Sequence, residues 1–176
     1  MNGIGASIFS TFFVLYLNAR FNATMAEIGL VFTLGNLISI ITPLPLGRLA
    51  DRFNKKYVLA SAFGLLAVFI YLLTLCSNLV QIIAVLALSS VPVIACAVTV
   101  PALMAEIVPS KILGTMYSIR RILSKISVFI GSLLGGILWD INIVLPFYTE
   151  TFLLMLATIT VCFIPRNTSK ILSDKH

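Results

Sequence analysis

The stretch LGRLADRFNKKYVL, residues 46–59, carries five charged side chains, Arg48, Asp51, Arg52, Lys55 and Lys56, in a chain whose Lys, Arg, Asp and Glu amount to only 12 basic and 6 acidic residues out of 176. On either side the sequence is oily. Hydrophobic residues make up 60% of the chain, charged residues 10%, and the mean hydropathy is +1.10. A soluble domain carries roughly 25% charged residues, so this composition describes an integral membrane protein, and the charged stretch reads as a tight loop between two of its spans.

A bilayer core about 30 Å thick needs about 20 apolar residues per helix. Uncharged stretches of that kind fall at 3–19, 25–47, 57–77, 79–104, 113–139 and 144–165. The runs are long and continuous, without the alternation of a barrel wall. The expected fold is an all-α membrane protein of six transmembrane helices in one bundle over residues 1–166, with a cytoplasmic tail over 167–176.

The net charge of +6 does not point to nucleic acid, because the basic residues are sorted by membrane face and not gathered in a patch. With the amino terminus inside, Arg48, Arg52, Lys55, Lys56, Lys111, Arg120, Arg121, Arg166, Lys170 and Lys175 lie at the inner face, Arg20 alone falls in an outer loop, and Lys125 lies within a span. This is the positive-inside distribution, and it predicts a cell-membrane protein with both termini cytoplasmic. The first span lacks the basic region of a signal peptide. Cys76, Cys96 and Cys162 sit in or beside apolar spans and read as small buried hydrophobes. Asn22-Ala23-Thr24 has the form of a glycosylation sequon, but it is short, close to the membrane and read as coincidental.

The loop itself then gives more. Asp51 adds nothing to positive-inside orientation; it can pair with Arg52 or Arg48, or accept from the exposed N–H groups at the start of another helix. The run Gly47-Arg48-Leu49-Ala50-Asp51-Arg52-Phe53-Asn54-Lys55-Lys56 closely resembles the loop between the second and third helices of each half of a major facilitator superfamily transporter: Gly, three residues, Asp, a basic residue, an aromatic, Gly, then two basic residues. Asn54 stands where the family usually has Gly, and Asn is the residue next most tolerant of a left-handed turn. Glu106-Ile107-Val108-Pro109 through Gly114-Thr115 is similar to the family's inner loop and fifth helix start. Gly131-Ser132-Leu133-Leu134-Gly135-Gly136 is similar to the Gly-Pro-x-x-Gly-Gly motif of proton-coupled antiporters, with Ser132 in place of Pro. Span 4 has no embedded Arg, which makes the chain look more like a carboxy-terminal half.

The resemblance implies two inverted three-helix repeats, and two six-helix bundles with solute between them in a complete transporter. Gly47-x-Leu49-x-Asp51 at the end of span 2 and Gly136-x-Leu138-x-Asp140 at the end of span 5 stand at the matching places of such repeats, on opposite faces. It also gives Asp51 a partner, the start of span 5 near Gly114 in the other bundle, so that Gly47, Asp51, Arg52, Lys55, Lys56 and Gly114 form a gate at the inner side. The second bundle is a second copy of the chain or the rest of a longer polypeptide.

Solute-site candidates come from helical periodicity. On span 5, Ser118, Arg121, Lys125 and Ser132 share a stripe suited to a water-filled cavity, while Ser127, Gly131 and Gly135, continued by Gly136, form a small-residue ridge suited to close helix packing. Lys125, roughly 16 Å past Gly114 along the helix, falls near the bilayer middle. An ionisable residue there is a functional hypothesis by default, and it tilts the solute toward an anion; the alternative is that it snorkels inward beside Arg121. Ser7 and Thr11 on span 1, and Asn36 with Ser39 on span 2, are weaker candidates for cavity or interhelical hydrogen bonds. Pro92 and Pro101 are expected to bend span 4. Glu150, near the outer start of span 6, is assigned a structural role at a helix amino terminus. The chain has no nucleotide-binding glycine loop, no metal-ligand spacing, and its single histidine is His176, so no enzyme chemistry, cofactor or metal is expected. The leading expectation is a half-size secondary transporter working by alternating access as a homodimer; a non-transporting membrane scaffold or partner subunit, and an isolated half of a longer transporter, remain beside it.

Overall fold

The computed structural model describes residues 2–43, 46 and 54–163. Six helices of ordinary length occupy them: α1 (Asn2–Phe21), α2 (Met25–Ile41), α3 (Lys55–Leu75), α4 (Leu79–Ile107), α5 (Leu113–Ile141) and α6 (Leu145–Phe163), with a single 3-10 turn, Ser110–Ile112, before α5. No strand occurs among the described residues. Five of these segments are long and apolar enough to cross a membrane, and α2 contributes a shorter apolar stretch, Met25–Leu37.

The helix ends follow from local sequence. Phe21 closes α1, and Asn22 takes φ 48°, the left-handed conformation that Asn tolerates and that terminates helices. Two residues later Thr24 opens α2 with a reciprocal cap. The Glu27 carboxylate accepts from the Thr24 backbone N–H at 2.8 Å and from its hydroxyl at 2.9 Å, and the Thr24 hydroxyl accepts from Glu27 N–H at 3.3 Å. This Thr-x-x-Glu box satisfies donors that a helix start otherwise leaves bare. The residues of the apparent sequon thus serve as helix stop and helix start. We expect Thr24→Ala to lower stability by about 1 kcal/mol, seen as a reduced melting temperature in mild detergent with unchanged helical content.

Two expectations are corrected. Span 2 was expected to run unbroken to Gly47; α2 ends at Ile41 and Thr42 is a turn, after which Pro43 and Leu46 are again helical, with Leu46 N–H donating to the Thr42 carbonyl at 3.2 Å, and Gly47 lies outside the described residues. Pro43 lacks an N–H and crowds the carbonyl four residues earlier, which interrupts the ladder at Thr42, while proline is tolerated in the first turn of the helical segment that follows. Asn54 was expected to stand in for a turn glycine. Its backbone is instead extended, φ −62° and ψ 115°, and its side chain accepts from Lys56 N–H at 3.1 Å, making it the N-cap of α3. Elsewhere the expected span ends agree with the helices to within about one turn.

The tertiary arrangement is symmetric in its pattern of neighbours. α1 packs on α5 and α6, α4 packs on α2 and α3, and α3 packs on α6. Exchanging α1 with α4, α2 with α5 and α3 with α6 reproduces these five contacts, the pattern expected of two three-helix repeats related by a pseudo-two-fold axis; the slighter packing of α5 on α6 has no comparable counterpart of α2 on α3 among the described residues. The core runs through the middle of this arrangement. Phe13, Tyr16, Leu17, Leu73, Ile82, Phe147 and Leu154 are almost completely buried, and Phe9, Tyr16 and Phe147 meet with ring centroids 4.7–5.9 Å apart. Arg20, the outer-loop cation of the sequence, donates to the Tyr16 hydroxyl at 2.9 Å and to the Thr74 carbonyl at 3.0 Å. It thereby holds the last turn of α1 to the last turn of α3, where a cation is favoured by unsatisfied carbonyls.

Candidate functional site

Small residues decide how closely α1 approaches its two neighbours. On α5, a Cβ added to Gly131 would come within 2.6 Å of the Ile4 carbonyl oxygen and would also clash with the Ser7 hydroxyl, and one added to Gly135 would lie 2.5 Å from the Phe12 ring. Gly3 packs on Ser127 in the same contact, and Gly136 stands at its margin, where an added Cβ would lie 4.0 Å from the Phe12 ring. On the other side of α1, a Cβ at Gly5 would lie 3.0 Å from Glu150 Cγ of α6. The backbone of α1 therefore covers Glu150 directly.

Glu150 is the residue the sequence reading undervalued. It stands in the second turn of α6, 3% exposed, and its Oε2 has no hydrogen-bond partner among the described residues. Glu150 is among the residues that line a partly open cavity of about 430 Å³. The wall is mostly apolar, built by Phe9 of α1, Leu66, Ile70 and Leu73 of α3, and Val93 and Val100 of α4. Arg120 of α5, read from sequence only as an inner-face cation, borders the same cavity. No ion pair joins Arg120 to Glu150 among the described residues. The available signal was a single carboxylate within an otherwise apolar span, which is a functional hypothesis by default.

Both prolines of span 4 lie within α4, with no break in the helix assignment. Each removes a donor from the ladder, at Leu88 for Pro92 and at Ala97 for Pro101. Ala97 lines the cavity, and the carbonyl of Pro101 accepts from the Tyr117 hydroxyl at 3.0 Å, tying α4 to α5.

The other candidates are scattered. Ser7 does not line the cavity: it is buried in the α1–α5 contact and donates to the Ile4 carbonyl at 2.8 Å. Thr11 and Asn36 are exposed. Ser118, Arg121 and Lys125 are exposed on α5 and Ser132 is half-buried; Ser118 donates to the Gly114 carbonyl at 3.0 Å. None of these four borders the cavity, so the α5 stripe faces away from its own bundle. Of the gate residues, Gly47, Asp51 and Arg52 lie outside the described residues. Lys55 pairs with Glu106 at the end of α4, and Lys56 Nζ donates to the Cys162 carbonyl of α6 at 2.8 Å. These two lysines clamp the start of α3 to the last turns of α4 and α6 within one bundle. Gly114 opens α5 with nothing within 4 Å of an added Cβ. Cys76 and Cys96 are buried, whereas Cys162 is exposed.

An all-helical, multi-pass membrane bundle of two repeated three-helix units, with a buried carboxylate beside a cavity between them, defines the class. A profile of the Major Facilitator Superfamily matches residues 1–175, and the chain belongs to that family of transporters. It is 28% identical over 146 residues to the uncharacterised MFS-type transporter YdeE of Escherichia coli K12. The match takes in 83% of this chain and 36% of that protein, so the chain spans less than half the length of the curated relative it matches.

Proposed function

We propose that this bundle is one half of a secondary transporter that carries a small solute across the cell membrane by alternating access, with both termini cytoplasmic and a second six-helix bundle, most simply a second copy of the chain, completing the path. The observation that carries this reading is the outward face of α5. Arg121 and Lys125 are exposed there, among the exposed apolar side chains Ile122, Ile126, Phe129 and Leu133. A cation within the hydrocarbon costs about 2.5–3.5 kcal/mol on insertion scales. A neighbouring bundle with water between supplies what lipid cannot, and Lys125 then meets the anionic part of a solute. The apolar side chains around it provide the contact area.

In this arrangement Asp51 of one bundle accepts from the start of α5 near Gly114 in the other. A charge at a helix end contributes roughly 0.3–1 kcal/mol when exposed and up to about 2 when partly buried, enough to bias an equilibrium of two states without locking it. Light scattering of the purified protein in mild detergent, corrected for bound detergent, is expected to give two copies. Proteoliposomes are expected to show saturable solute flux that Asp51→Asn abolishes. A monomer without flux favours the scaffold or partner-subunit reading instead.

A further inference from the structure

The first half of α5 stands apart from the rest of the bundle. Only Gly131 and Gly135 of this helix are buried, and from Gly114 to Ile126 every residue but Tyr117 is exposed. That bare stretch carries Arg120, Arg121 and Lys125, and no acidic residue occurs between Glu106 and Asp140. None of these cations has an ion pair or a hydrogen bond among the described residues. Positive-inside orientation accounts for Lys111, in the turn before the helix, but does not require charges within the span. Arg121 and Lys125 lie about two and about three turns past Leu113, and unpaired cations at such depth are costly. Arg120 is turned about 100° away from Arg121 and borders the bundle's own cavity, so Arg121 and Lys125 are the pair that shares a face. Four residues apart, they have Cβ atoms about 5–6 Å from each other, and like charges so placed repel. In water that repulsion is slight. It grows as water is excluded, and a shared counter-anion removes it.

We propose that Arg121 and Lys125 form a binding site for a dianionic phosphate group, held between them on the exposed face of α5. A carboxylate or a phosphodiester brings one negative charge and leaves the second cation unanswered. A phosphate monoester brings about two at neutral pH, on one tetrahedral group that both side chains can reach. Arg121 supplies a planar fork that matches two phosphate oxygens, and Lys125 a compact point charge for a third. Val128 and Phe129, three and four residues beyond Lys125, continue the face as exposed apolar side chains and suit an apolar remainder of the ligand. The same chemistry has two sources, a soluble phosphate monoester in the space between two bundles and the headgroup of phosphatidate in the lipid leaflet. Whereas the site itself stands on the exposed face of α5, its place in the solute path rests on the transporter reading above.

Binding is tested separately from flux, by calorimetric titration of the purified chain in detergent at about pH 8, where a monoester carries two charges. The probes are phenyl phosphate and its singly charged diester, methyl phenyl phosphate. Phenyl phosphate is expected to bind about ten-fold more tightly or better. Lys125→Met and Arg121→Gln are each expected to erase that preference, while Lys111→Gln, which removes the same charge before the helix, leaves it in place. The comparison of probes on the unmodified chain needs no variant to fold. The two sources are separated by repeating the phenyl phosphate titration in phosphatidylcholine nanodiscs that contain either phosphatidate or phosphatidylglycerol at matched surface charge. Weaker binding with phosphatidate assigns the site to the lipid headgroup, and equal binding assigns it to a soluble monoester. No binding of phenyl phosphate, equal affinity for monoester and diester, or an equal loss in Lys111→Gln would each overturn the proposal. Saturable flux of a solute without phosphate, with phenyl phosphate unbound, sinks this inference alone, while phenyl phosphate binding without flux of any solute sinks the transporter reading alone.

Discussion

Gly131→Val is expected to be the most damaging single substitution in the bundle, lowering stability by at least the 1–3 kcal/mol typical of an overpacked core, as an estimate of about that order, and by more if α1 separates from α5. The obstacle is backbone: the first added carbon would stand 2.6 Å from the Ile4 carbonyl oxygen, and α1 cannot retreat from α5 without pressing Gly5 onto Glu150 of α6 and disturbing the Phe9–Phe147 contact. Gly135→Ala should cost less, because its added carbon meets the Phe12 ring at 2.5 Å and a ring at the end of a side chain can turn. Gly114→Ala, with nothing within 4 Å, is expected to be neutral or to stabilise by up to about 1 kcal/mol through helix propensity. Melting temperatures of the three variants in one detergent check the order. Equal melting of the Gly131 and Gly114 variants would mean that α1 and α5 are not in the contact described.

The ridge that produces this ordering was legible in the sequence because its signal is local: small residues recur on one helical stripe, Ser127, Gly131 and Gly135, and close approach is their common use. Helix positions were legible for the same reason, since a run of apolar residues bounded by charges needs no partner to be recognised. What the sequence held back were choices made by neighbours. Helix α6 is apolar nearly all round, so periodicity gives no preferred inward face, and nothing in the sequence says whether Glu150, near the start of that helix, turns into the bundle or out of it. Only the approach of α1 through Gly5 turns it into a buried group. Ser7 went astray in the complementary way: it is on a polar stripe with Thr11, but the stripe divides between the α1–α5 contact and an exposed surface. Asn54 and Pro43 are a different case. Both carry ordinary capping and helix-breaking chemistry, and the family resemblance of the loop drew attention to turn geometry instead.

Lys125→Met is expected to leave the fold intact and to reduce saturable flux at least about ten-fold. Two physical readings of this lysine predict opposite patterns, which makes the substitution decisive. If Lys125 faced lipid, replacing the cation by an apolar side chain would remove a cost of about 2.5–3.5 kcal/mol; the variant would be more stable, and flux would not change. If it faces a water-filled space between two bundles, the cation is solvated there, stability shifts little, and the loss falls on the solute that its charge attracts. Its exposure on α5, one turn beyond the equally exposed Arg121, allows a control. Arg121 lies nearer the start of α5, the end that the positive-inside expectation places in the cytoplasm, so the effect of Arg121→Gln on flux should be smaller and its effect on membrane insertion larger. Flux in proteoliposomes and melting in detergent, measured on the same preparations, separate the two patterns. A variant that melts higher and transports normally would place Lys125 against lipid and remove it from the solute path.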